Sequence, residues 1–270
     1  MPQQRDIHAN PLPTSNSTVA PHEGSESFQV KGSNPSAWGV WERLVPDAVA
    51  SDPTSQRMLE IHLARYQTAA SYVSGKRVLD IACGTGYGSQ MLRHAGATAV
   101  VGVDLSAETI RYAKHHYQTP GVEFICANAE NFESPEQFDV IVSFETIEHL
   151  HHPKKFLERI YSLLVPGGKL VLSVPLGETR HFDSYHLHAF TQEQVFALFE
   201  ETGFSIEHYR CDECFWNRFE MLRFGLLYPD SIPPIPELLF TRRGWQLIHD
   251  FVIQGGLDFP QLLVVAQENA

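Results

Sequence analysis

Apolar residues recur along this chain with two different periods, and the periods divide it into elements. From Thr54 to about Val73, the residues Leu59, Leu63, Tyr66, Ala70 and Val73 are spaced by four, three, four and three. That spacing predicts one apolar face of a helix. Short, nearly unbroken apolar runs follow: Val78-Leu79-Asp80-Ile81-Ala82, Ala99–Val103, Val122–Cys126, Val140–Phe144 and Leu170–Val174. Runs that are apolar on both faces read as strands covered by helices on each side. Two helical stretches separate them. One is 106–117, with Ile110, Ala113 and Tyr117 on one side; the other runs from Pro153 to Leu164, with proline in the first turn. Alternating strands and helices predict a parallel sheet with right-handed crossovers.

Beyond the fifth strand the pattern loosens. Residues 176–190 form a polar, His-rich loop. Thr191-Gln-Glu-Gln194 reads as a capping box that opens a helix, and Gly203 closes it. A strand at Ser205–Tyr209 and a last strand at Leu262–Ala266 frame a long interruption, about 212–260, with Pro229, Pro233, Pro234 and Pro236 and one helix-like stretch, Trp245–Ile253. The aromatic residues Phe215, Trp216, Phe219, Phe224, Trp245 and Phe251 are read as packed core rather than as the wall of an acceptor pocket. Residues 1–36 are rich in Ser, Pro, Asn, Gln and Gly without periodicity and read as a mostly disordered tail. Residues 37–270 then form a single domain in which 212–260 is an insertion, placed to act as a lid, an acceptor pocket or a homodimer contact.

Composition narrows the partners. The chain has 270 residues and 43% hydrophobic content, enough for a normal core. Its 32 acidic against 20 basic residues give a net charge of −12, which opposes broad binding to phosphate backbones or anionic membranes. The pairs Lys154-Lys155 and Arg242-Arg243 read as solvated surface rather than a nucleic-acid footprint. No apolar region follows the opening residues and no apolar run is long enough to cross a bilayer, so neither a secretory signal nor a spanning helix is expected. Four scattered cysteines suggest reduced thiols in a cytoplasm. Cys211-Asp-Glu-Cys214 has no second pair and reads as local packing.

Chemistry-bearing residues sit where the strands end. Asp80-Ile-Ala-Cys-Gly84-Thr-Gly86-Tyr-Gly88 closes the first strand. Open parallel sheets bind ligands at the carboxyl ends of their strands, and glycines let backbone approach a ligand closely. The G-x-G-x-G spacing differs from the G-x-G-x-x-G dinucleotide fingerprint. Asp104 ends the second strand, where a carboxylate can accept hydrogen bonds from both hydroxyls of a ribose. Asn128-Ala129-Glu130 follows the third strand, and Phe144-Glu145 ends the fourth beside the same crevice.

Taken in order, these residues resemble class I S-adenosylmethionine (SAM)-dependent methyltransferases of the small-molecule type. The resemblance covers about residues 55–210. It rests on Val78-Leu-Asp80 through Gly88, then Asp104, Asn128-Ala-Glu130, Phe138-Asp139-Val140 to Phe144, and Leu164-Val-Pro166-Gly167-Gly168. It implies an α/β, Rossmann-like, doubly wound, mostly parallel seven-stranded sheet with helices on both faces and an antiparallel last strand. It also implies SAM as cofactor and S-adenosylhomocysteine (SAH) as product. The loop around Gly84 and Gly86 would cradle the methionine arm, with Asp80 toward its ammonium end through water or backbone. Asp104 would hold the ribose. Asn128 and the Ala129 N–H would meet the adenine, Asn128 through its carbonyl in place of the family's more common Asp, and Leu105 would pack on the ring. Tyr66, Ala82 and Phe144 are counted with the cofactor wall. Arg65-Tyr66 would close over the SAM carboxylate, or else serve salt-bridging and core packing.

Methyl transfer from a sulfonium is an in-line displacement, so the acceptor atom must sit about 3 Å from the methyl carbon on the S–C axis. A hydroxyl acceptor also loses a proton, which a nearby base can take. Candidates lie in Glu145-Thr-Ile-Glu148-His149-Leu-His151-His152 and in His181-Phe-Asp183-Ser-Tyr185-His186-Leu-His188. In one reading His149 or His186 is the base or orients the acceptor. In another, Glu145, Glu148, His149 and His186 bind a divalent metal, a pattern similar to that of small-RNA 3′-terminal 2′-O-methyltransferases. In a third, Glu148-His149 shapes the loop and caps the next helix. His149 and His186 are taken as the candidate catalytic residues, and no residue is assigned to a metal. The expected function is methylation of a small molecule such as a sugar, phenol or lipid intermediate, at a hydroxyl oxygen. The rivals are metal-assisted methylation of RNA ends and a non-catalytic SAM-binding partner protein.

Overall fold

The computed structural model describes residues 44–46, 53–177, 186–227 and 235–269. The tail expected at 1–36, His181, Asp183, Tyr185 and the prolines 229, 233 and 234 lie outside the described residues. Helix α1 (Pro53–Ala70) leads into alternating elements: β1 (Arg77–Ile81), α2 (Tyr87–His94), β2 (Ala99–Asp104), α3 (Ala107–His116), β3 (Val122–Cys126) and β4 (Phe138–Phe144). Then come α4 (Pro153–Leu163), β5 (Leu164–Pro175), α5 (Gln192–Glu201), β6 (Phe204–Asp212) and β7 (Phe215–Asn217). Helices α6 (Arg218–Leu227), α7 (Ile235–Phe240) and α8 (Arg242–His249), strand β8 (Gly256–Asp258) and strand β9 (Gln261–Glu268) complete the chain.

Seven strands form one sheet in the order β3-β2-β1-β4-β5-β9-β6. The pairs among β1 to β5 are parallel, and β9 runs antiparallel to both β5 and β6. The chain winds outward from β1 through β2 to β3, then returns to β4 on the other side of β1. The order of strands therefore reverses beside β1, and a crevice opens there above the strand ends.

Adjacent residues explain the two cores. Leu79, Val101, Ile141 and Leu172 face Phe156, Leu157 and Ile160 of α4 and Phe199 of α5. Val78, Val100, Val140 and Val171 face the other way, toward Tyr66, Leu92, Ile110 and Ala113 of α1, α2 and α3. Successive side chains of a strand point to opposite faces, so continuous apolar runs fill both layers. The caps also follow the sequence: Ser106 caps α3 through Thr109, Pro153 starts α4, and Thr191 and Gln194 close a full capping box on α5.

Three expectations shift. Helix α2 is absent from the apolar pattern because its buried side includes Gly88 and Ser89, which carry no hydrophobic signal. Strand β5 begins at Leu164 rather than Leu170, since Leu164 pairs with Phe138 before an irregularity restores the register at Val140 and Lys169. Among the described residues, the interruption at 212–260 holds three α-helices, a π-helical stretch (Asp250–Gln254) and the antiparallel β7–β8 pair instead of one helix. Its aromatic residues are not uniformly core. Trp216 is buried under the Arg57 guanidinium, 4.9 Å from the ring centroid. Phe215, next to it on the strand, points outward, and Phe219 and Trp245 are 77% and 58% exposed. No described helix is long and apolar enough to cross a membrane.

Gly88 fixes how α1 meets α2: a Cβ there would fall 1.9 Å from the Tyr66 ring. Gly88→Ala should therefore destabilise the chain by about 1–3 kcal/mol through overpacking. Urea unfolding measures this, and an unchanged midpoint would mean that Tyr66 is not held where it stands.

Candidate functional site

A cleft of about 190 Å³ opens at the ends of β1, β2 and β4. Its floor is built from the turns that follow these strands. After β1 the backbone enters the left-handed region at Ala82 (φ 62°), Gly84 (φ 55°) and Gly86 (φ 91°). Gly86 also starts α2. There a Cβ would stand 2.7 Å from both Ala113 and Phe124, so close helix packing as well as backbone torsion requires glycine. Glu145, just past β4, is a second non-glycine residue with positive φ, at 46°. L-residues visit this region at a cost of order 1–3 kcal/mol, and such strain concentrates where ligands bind.

Asp104 ties two turns together. Its Oδ2 accepts from the Gly84 N–H at 3.2 Å and its Oδ1 from the Ser106 N–H at 2.8 Å. Both amides lie at helix-facing turns, so the carboxylate holds the glycine loop against the start of α3. Leu105 beside it is 65% exposed and faces the cleft, as does Asn128. The Asn128 carbonyl accepts from the Glu130 N–H at 2.8 Å and caps the short 3-10 turn Ala129–Asn131. That carbonyl was expected to meet the adenine, and in the structure it also serves this local cap.

Of the expected site residues, Tyr66, Ala82, Gly84, Asp104, Leu105, Asn128, Ala129, Phe144 and His149 line the cleft. Asp80, Gly86 and His186 do not. Asp80 is 1% exposed beneath the glycine loop, where Ser89 Oγ donates at 2.6 Å and the Tyr66 hydroxyl at 3.2 Å. It supports the wall instead of forming it. Arg65 does not line the cleft either. Its Nη2 donates to Gln261 Oε1 at 2.9 Å, and its Nη1 lies 3.4 Å from Glu145 Oε1, which also accepts from Ser173 Oγ at 2.8 Å. A buried guanidinium needs such partners, and they turn it away from the opening. His62, Leu44 and Thr146 line the cleft without having been singled out. His62 was within reach of the sequence: it precedes Tyr66 by four residues, one turn on the same helix face.

At the rim, the rings of His149 and His186 meet edge to face, with centroids 4.7 Å apart. Glu148 is fully buried, and its Oε1 lies 3.8 Å from His149 Nε2. Its backbone carbonyl accepts from the Leu187 and His188 N–H groups, while α4 starts after His152 with no side-chain cap. Ligand atoms of Glu148, His149 and His186 lie within 4.8 Å of one another. His149 faces the cleft and His186 stands behind it.

Residues 79–172 match the family described as "Methyltransferase domain". The chain is 38% identical over 105 residues to a ubiquinone biosynthesis O-methyltransferase of Pseudomonas putida, covering 37% of this chain and 45% of that one. It is 35% identical over 113 residues to a phthiotriol/phenolphthiotriol dimycocerosates methyltransferase of Mycobacterium leprae, covering 40% and 42%. This chain thus spans less than half the length of either relative. The fold is similar to that of the N-methyltransferase NodS from Bradyrhizobium japonicum, solved with SAH: TM-score 0.54, 16% identity, 86% of this chain and 98% of that one.

Burial pushes the Asp80 carboxyl up to about 7, with Asp104 adding to the rise and the Ser89 and Tyr66 hydrogen bonds opposing it. Between about pH 4 and 7 the folded chain therefore holds a proton that the unfolded chain has released, and this contribution to stability falls as pH rises through that window. Wild-type stability should drop relative to Asp80→Asn between pH 5 and 8. Paired urea titrations at the two pH values measure it, and parallel pH profiles would refute it.

Proposed function

We propose that this chain, whose residues 79–172 match the methyltransferase-domain family, moves the sulfonium methyl group of SAM to a hydroxyl oxygen of a small molecule. The observation that carries this reading is the order of groups along one cleft. The glycine loop, Asp104 with Leu105, and Asn128-Ala129 follow β1, β2 and β3, which stand side by side in that order in the sheet, and His149 lines the same opening. That order suits the amino-acid arm, ribose and base of SAM in turn. The names of the ubiquinone-pathway and phthiotriol relatives favour a hydroxyl-bearing, lipid-like or phenolic acceptor.

The reaction breaks the S–CH₃ bond and forms an O–CH₃ bond, leaving SAH with its sulfur as a neutral thioether. The acceptor hydroxyl loses its proton to the His149 imidazole, the ring that reaches the cleft. His186, packed on that ring, and Glu148 behind it hold the imidazole in place. Most of the rate then comes from alignment on the S–C axis.

A carboxylate with two imidazoles also suits Mn, Fe or Zn, and the close approach of Glu148, His149 and His186 fits such an ion. The base reading predicts turnover unaffected by EDTA; a chelator-sensitive rate restored by Mn would replace it with the metal reading.

Asp104→Ala should weaken SAM binding by about 10- to 100-fold, the range for removing hydrogen bonds made by a charged group. His149→Ala should leave SAM binding within a few-fold and slow methyl transfer by about 10²-fold or more. Calorimetry gives the first. Mass spectrometry of acceptor mixtures, following a one-methyl gain, gives the second. Undiminished transfer by His149→Ala would remove the base, and undiminished SAM uptake by Asp104→Ala would remove the cofactor assignment.

A further inference from the structure

Helix α1 places a histidine on the cleft wall that the reaction above does not use. No lysine or arginine lines the cleft among the described residues. Arg65, the nearest guanidinium on α1, is engaged by Gln261 and Glu145. Several polar side chains at the glycine-loop end already direct their hydrogens elsewhere. The Thr85 hydroxyl donates to the Leu44 carbonyl at 2.6 Å, the Thr146 hydroxyl to the Phe144 carbonyl at 2.9 Å, and the Tyr66 hydroxyl to Asp80. Tyr87 lines the same end, but Asp80 lies close enough that, after burial itself, it is the main influence pushing the Tyr87 hydroxyl up, and a second carboxylate beside it would be repelled. His62 differs on each count. It faces the cleft, and no hydrogen bond joins its ring to any described residue. The charge that acts on it is the positive charge of Arg65.

Resting on the SAM reading, we infer that His62 donates an N–H to the carboxylate of the methionine arm, the role that the sequence suggested for Arg65. Burial, with Arg65 adding to it, pushes the His62 imidazole down to about 3, so at neutral pH the ring is uncharged and offers one donor. The Arg65 charge behind it favours an anion at that spot without touching it. This makes His62 a determinant of cofactor choice: it separates SAM from sulfonium nucleosides that lack the carboxylate.

SAM and decarboxylated SAM differ only in that group, so calorimetry with the full chain isolates it. His62→Ala should weaken SAM binding by about tenfold or more while decarboxylated SAM stays within about twofold; His62→Gln, which keeps a donor, should retain most of the SAM affinity. Near-UV circular dichroism of each variant checks that the packing of α1 persists. Equal weakening of both ligands by His62→Ala, or SAM binding left within about twofold, overturns the inference. If the unaltered chain takes up neither ligand, the SAM reading itself falls. If it takes up both with the same affinity, only the carboxylate assignment falls.

Discussion

The Asp104 carboxylate is the constraint on which the site depends. By accepting from Gly84 and Ser106 at once, it joins the turn after β1 to the turn after β2. Two loops that would otherwise move separately become one floor. The join is possible because β1 and β2 lie side by side in parallel register, with Asp80 opposite Gly102 and Ile81 opposite Val103. Both turns therefore emerge from the same edge of the sheet, a few ångströms apart.

A second layer of support comes from α1. Tyr66 packs edge-on against Phe144 and Tyr87, and its hydroxyl reaches Asp80 beneath the loop. The missing side chain at Gly88 admits the ring. The adjacent Arg65 crosses behind the wall to Glu145 and Gln261, linking the helix to the ends of β4 and β9. A buried ion pair of this kind specifies geometry more than it adds stability, because desolvation offsets most of the attraction.

The left-handed residues Ala82 and Glu145 stand at the ends of the two central strands and face one cleft. Their torsions are kept by contacts around them: the Cys83 N–H bonds to the Val103 carbonyl, and the Glu145 N–H to the Ser173 carbonyl. The adjacent strand in each case supplies the acceptor. The sheet thus holds the strain that aims these turns into the opening.

Much of this was legible along the chain. Apolar runs such as Val140–Phe144 announce strands buried on both faces, the capping box at Thr191 announces α5, and Asp80, Gly84, Asp104 and Asn128 recur at strand ends in a recognisable order. Those features are local, because strand burial, turn torsion and helix capping are decided within a few residues. Helix α2 was not legible, since its inner face is made partly of glycine and serine. Nor was the outward stance of Phe219 and Trp245, or the difference between Arg65 and His62 on one helix. These were decided by residues distant in sequence: Gln261 and Glu145 draw the arginine aside, and the imidazole one turn earlier is left facing the cleft. The sequence determined which elements form and where chemistry gathers. Which side chain reaches the ligand depended on partners that only the folded chain brings together.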